Sequence, residues 1–101
     1  MSDDFISEII GERSSTNPAF PLLVQAALDR RELLHALAKK REESGLTQTR
    51  VAAAMGTSQS QVARLESGNA DTKLSTVGKL AAVLGVQLEW RIVDATQAKA
   101  R

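Results

Sequence analysis

The apolar positions of the chain fall into successive stretches of helical spacing, followed by one stretch of strict alternation. Phe5, Ile6, Ile9 and Ile10 recur at helical spacing behind Ser2 and two aspartates, which predicts a short amphipathic helix over 3–11. Gly11 to Asn17 is polar and turn-forming, and Pro18 and Pro21 set the start of the next element. From Pro21 to about Glu43, Leu23, Ala27, Leu34 and Leu37 form an apolar stripe. The stretch reads as one long helix, or as two meeting near Asp29, where Asp29 and Glu32 make a capping-box pattern. The single helix is the preferred reading, and Gly45 ends it.

Short helices follow, each with its own punctuation. Thr47 can cap a helix that runs to Met55 and stops at Gly56. Ser58 with Gln61 is a capping-box pattern opening a helix that ends at Gly68, and Ser75 can cap another that ends at Gly85. Val86, Leu88, Trp90 and Ile92 then alternate with Gln87, Glu89, Arg91 and Val93, a period of two that predicts a β-strand. The expected architecture is all-α with one short C-terminal strand. It divides into an N-terminal helical extension at 1–32, a domain at 33–93 and a frayed tail at 94–101.

Composition narrows the classes. No apolar run approaches the roughly 20 residues that span a bilayer, and the acidic start lacks the basic segment of a secretory signal, so a cytoplasmic protein without a membrane partner is expected. Without cysteine there is neither a disulfide nor a thiolate metal site. Net charge is only +1, but it is unevenly spread. Residues 1–35 hold three arginines and six acids, net −3, and residues 36–101 hold ten basic and six acidic side chains, net +4. A surface that meets phosphates is expected in the C-terminal two-thirds.

Catalytic chemistry finds no support. His35, the single histidine, has no cysteine or carboxylate cluster at ligand spacing with it. Adjacent Glu42 and Glu43 point in different directions on a helix and read as a solvated face. No serine has a His/Asp partner placed to activate it, and no Gly-rich loop could cradle a phosphate. No enzyme, cofactor or metal is expected. Single-stranded nucleic acid also fits poorly, because Phe5, Phe20 and Trp90 make no stacking platform.

The informative span is Gln48 to Ser67, two short helices joined at Gly56. Ala52 is small enough for close helix approach, Gly56 tolerates a positive-φ turn, and Val51, Met55, Val62 and Leu65 supply inner faces. Ser58, Gln59, Ser60, Gln61 and Arg64 are left to face outward. Such side chains suit major-groove edges: Gln bonds adenine bidentately, Arg bonds guanine, and Ser bonds a base or a phosphate.

The segment from about Leu33 to Val86 resembles the Cro/phage-repressor (XRE) helix-turn-helix family. The match runs through Arg41, Gly45-Leu46-Thr47-Gln48, Val51-Ala52, Met55-Gly56-Thr57-Ser58-Gln59, Val62, Arg64-Leu65-Glu66-Ser67-Gly68, Leu80-Ala81 and Leu84-Gly85-Val86. The resemblance implies a lambda-repressor-like domain that binds double-stranded DNA; a homodimer is expected because the edge of the predicted strand, with its alternating apolar residues, invites pairing with a two-fold mate. Gln48 would touch phosphate or the edge of the recognition helix, and Ser58, Gln59, Ser60 and Arg64 would face bases. Gln61 would divide between capping and DNA, and Asn69 and Lys73 would contact phosphate. Arg41 and Glu66 would form a structural ion pair.

The long N-terminal extension and terminal strand also resemble HigA-type antitoxins, which repress their own operon and bind a toxin. On that resemblance the acidic residues 1–30 would bind a basic toxin; alternatively, they wrap the domain and cover apolar surface.

Overall fold

The computed structural model describes residues 19–95. The helix expected over 3–11, the polar segment before Pro18 and most of the tail lie outside the described residues. Among those described there are four helices: α1 (Phe20–Glu43), α2 (Gln48–Met55), α3 (Gln59–Ser67) and α4 (Leu74–Val83). Arg30–Ile92 forms one compact unit; the described residues outside it are the first part of α1 and residues 93–95. Across Asp29 the chain stays helical, so α1 is a single element.

Helices α2, α3 and α4 have only 8, 9 and 10 residues, and isolated helices below about 12–15 residues are marginal in water. Their persistence therefore depends on packing. Leu34 and Leu37 of α1, Val51, Ala52 and Met55 of α2, Val62 and Leu65 of α3, and Val77, Leu80 and Ala81 of α4 make one buried cluster, joined by Leu84. Leu34, Val62 and Leu80 have no exposed surface at all. Leu23, read from sequence as part of the α1 stripe, is instead exposed. The core draws on the later turns of that helix, at Leu33, Leu34 and Leu37.

Helix ends follow local chemistry. Thr47 Oγ1 accepts from the Arg50 N–H at 3.1 Å, and Ser58 Oγ from the Gln61 N–H at 3.2 Å, each satisfying a first-turn donor. At the end of α2, Gly56 turns left-handed (φ 73°), and the Thr57 N–H reaches back to Ala52 O at 2.9 Å. Both α1 and α4 close with the same reach-back, Leu46 N–H to Arg41 O and Val86 N–H to Ala81 O.

Two further expectations are corrected. The expected Ser75 cap does not form: α4 begins at Leu74, its N-cap position is Lys73, and no side chain caps it. Ser75 therefore falls inside the first turn. The C-terminal strand does not form either. Residues 86–94 carry no regular secondary structure, because a strand is completed by ladder hydrogen bonds and no other described segment has strand character to supply them. Val86 and Leu88 nevertheless pack against the helical core.

Among the described glycines, Gly68 makes the close approach to another helix. Its φ is 72°, and a Cβ built there would sit 2.7 Å from Arg31 Cα, which belongs to the backbone of α1. Beside it, His35 Nε2 donates to Ser67 O at 2.9 Å. The end of α3 is thus seated directly on α1. Gly56 has the same backbone hand with open space around it. In urea unfolding, Gly56→Ala is expected to cost about 1 kcal/mol, the left-handed backbone alone. Gly68→Ala is expected to cost about 2–4 kcal/mol, since overpacking adds about 1–3. Equal losses at the two positions would contradict the close α1–α3 seat.

Candidate nucleic-acid interface

Helix α3 buries Val62, Leu65 and Glu66. That choice of inner face leaves Gln59, Ser60, Gln61 and Arg64 exposed. The turn from Gly56 to Ser58 presents α3 N-terminal end outward, with Ser58 Oγ and Ser60 Oγ 3.2 Å apart.

Behind this exposed end runs a chain of hydrogen bonds anchored on a buried carboxylate. Glu66 is only 7% exposed. Arg41 of α1 meets it with two parallel bonds, Nε to Oε2 at 2.6 Å and Nη2 to Oε1 at 3.1 Å. The remaining terminal nitrogen, Nη1, donates to Leu46 O at 2.8 Å, just ahead of α2. The Glu66 bonds hold the Arg41 guanidinium above its ordinary range, against the opposing effect of burial. Gln48, the first residue of α2, adds a further donor, Nε2 to Glu66 Oε1 at 2.8 Å. Its Oε1 in turn accepts from Gln59 Nε2 at 2.6 Å.

The polarity of this chain is determined at its buried end. An ionised carboxylate only accepts, so Gln48 must turn its NH2 group to Glu66 and its carbonyl to Gln59. Gln59 must answer with its own NH2 group. What Gln59 then offers outward is its Oε1 and the second proton on Nε2.

Arg64 and Lys73 come together on a cleft of about 520 Å³ bounded by the end of α2, α3, the following loop and α4. Its lining includes Gln61, Thr72, Thr76 and Lys79, with Asp71 as the acidic member. Of the Ser58–Gln61 box only the Ser58 half forms, and the Gln61 side chain lines this cleft instead. Asn69 does not line it; its backbone N–H donates to Ser67 Oγ at 3.3 Å in the turn after α3. The sequence reading missed Lys79, Thr72 and Thr76. Lys79 lies in a helix read only for its start and its stop, and no local spacing relates it to Arg64.

Because Glu66 is buried with both its oxygens bonded, removing its ion-pair partner leaves an uncompensated charge. Arg41→Ala is expected to lower stability by about 3–5 kcal/mol, while exchanging both Arg41 and Glu66 for apolar residues of similar volume is expected to restore most of the loss. Chemical denaturation of the three proteins checks this. A single-substitution loss below about 1 kcal/mol, typical of an exposed pair, would contradict it.

A helix-turn-helix family model matches residues 37–91, more than half of the chain and including all of α2, α3 and α4. No curated protein and no solved structure matches. Two capped helices about a glycine turn, an exposed polar face on the second and the matched family model lead to one conclusion: the chain belongs to the helix-turn-helix family of the Cro/phage-repressor (XRE) type.

Proposed function

We propose that this protein is a sequence-specific repressor that binds double-stranded DNA as a homodimer on a palindromic operator, with α3 in the major groove. The observation that supports this best is the Glu66–Gln48–Gln59 chain. Adenine presents an N6 donor and an N7 acceptor on its major-groove edge. The outward Oε1 and second Nε2 proton of Gln59 have the complementary pattern, and the amide is oriented before DNA arrives. The second Nε2 proton of Gln48 suits a phosphate oxygen beside that base. Arg64, exposed on the same helix, is the guanine reader in this reading.

Backbone contacts come from Lys73, Asn69 and the uncapped first turn of α4, where backbone N–H groups and the helix dipole favour an anion. This is a binding chemistry, and no catalytic step is assigned to it. Among the described residues no helix is long and apolar enough to cross a membrane.

The test is binding to the DNA upstream of the protein's own gene at two salt concentrations, with a scrambled duplex for comparison. Gln59→Ala is expected to cost about 1–3 kcal/mol on the specific duplex and to relax preference at one A·T pair. Lys73→Ala is expected to weaken both duplexes alike and to lower the salt slope by roughly one. Equal, sequence-blind losses from both substitutions would contradict base reading by Gln59.

A second reading keeps the DNA-binding unit and adds a protein partner. The net charge of −3 over residues 1–35 and the HigA-type resemblance support an antitoxin that binds a basic toxin. Co-purification with the product of a small basic neighbouring gene is its test.

A further inference from the structure

The cleft beside α3 carries a cation that the DNA reading leaves unused. Arg64 reaches it from α3, Lys73 from the N-cap position of α4, and Lys79 from within α4. Asp71 is the one acid of its lining, so three cations and one anion leave a net charge of +2 there. Among the described residues no ion pair joins Asp71 to Arg64, Lys73 or Lys79. Like charges gathered on one cleft repel one another, and a single unpaired acid offsets that only in part.

Its size exceeds what a backbone phosphate would fill. The volume of about 520 Å³ lies inside the roughly 300–1,000 Å³ of small-molecule sites, and a cavity of about 150 Å³ already admits benzene. Met55 and Leu65, among the more accessible members of the core, line it at 8% and 6% exposure. On its rim, the Thr72 hydroxyl is committed to Ala70 O at 3.1 Å. The Thr76 hydroxyl makes no hydrogen bond to a described residue, and the first turn of α4 has no side-chain cap. Donors and positive charge therefore converge on a space with apolar surface beneath it.

We propose that this cleft binds a small phosphate monoester with an apolar body, and that its occupation releases DNA. Charge selects the head group. A phosphate monoester carries about −1.5 to −2 at neutral pH, which matches the net charge of the lining, whereas a DNA phosphate carries only one negative charge. The Arg64 guanidinium suits two of its oxygens, Lys73 and Lys79 act as point charges, and Thr76 adds a hydroxyl donor. Volume selects the body: a bare phosphate would leave most of the cleft to water, and a ring would cover Met55 and Leu65. Arg64 cannot hold a guanine and the ligand at once, so each partner lowers affinity for the other by the same factor. The release, though not the site itself, rests on the DNA reading given above.

The test uses phenyl phosphate, inorganic phosphate and phenol as probes at fixed ionic strength. In calorimetric titration, phenyl phosphate is expected to bind at least about tenfold more tightly than inorganic phosphate, and phenol not measurably. Lys79→Ala, at an exposed position outside the core, is expected to weaken phenyl phosphate by about three- to fivefold. Thermal unfolding confirms that this variant is folded. In fluorescence anisotropy, phenyl phosphate is expected to displace the upstream duplex. Corrected for the variant's own DNA affinity, the displacement midpoint of Lys79→Ala rises by the same factor as its probe Kd. Phenyl phosphate no tighter than inorganic phosphate, or bound equally well by folded Lys79→Ala, would overturn the site. A bound probe that leaves the duplex in place would overturn the release. Calorimetry needs no DNA, so the site stands or falls apart from the DNA reading. Selective duplex binding that Gln59→Ala abolishes would stand even if no probe binds.

Discussion

The arrangement of the exposed end of α3 depends on one buried carboxylate. Removing a carboxylate from water costs several kcal/mol, recovered only when its lone pairs are satisfied in good geometry. Glu66 meets that condition with two bonds from Arg41 and one from Gln48. Each donor comes from a different element, so the requirement ties α1 and the first residue of α2 to α3. Because Arg41 also holds Leu46 O, the chain entering α2 is fixed by the same guanidinium. An apolar pair could fill this space but would supply none of these directional bonds.

The same network carries orientation from the interior to the surface. Apolar contacts have no polarity and could not decide which way an amide points. A carboxylate that only accepts decides it for Gln48, and Gln48 decides it for Gln59. In the proposed function, ordering the reading side chain beforehand reduces what DNA binding must otherwise cost in side-chain entropy. In that proposal, structural pair and reading residue are consecutive links of one device. The seat of Gly68 against Arg31 serves the same end at the opposite terminus of α3, where no side chain separates two backbones.

Much of this was legible along the chain. Thr47 and Ser58 cap α2 and α3, because capping is an interaction between residues three apart. The inner faces of the short helices follow the apolar period, and Glu66 was singled out beside Arg41 within the family pattern. Where the local argument failed, a nonlocal one decided. Ser75 has the chemistry of a cap, but α4 starts one residue earlier, at Leu74. Leu23 has the spacing of a core residue, but the core draws on the later turns of α1.

By itself, then, the sequence determined the caps and stops of α2 and α3, the helix-turn-helix span and the residues left to face outward, since caps and stops are interactions within a few positions. Tertiary structure alone decided the direction of the Gln48 and Gln59 amides, bonded across 11 and 18 positions, and the convergence of Arg64, Lys73 and Lys79 on one cleft. It also decided that the alternating segment 86–92 seats Val86 and Leu88 on the core without becoming a strand. Alternation specifies which side chains share a face, whereas a strand requires a second backbone at hydrogen-bond distance, and that is a property of the folded assembly.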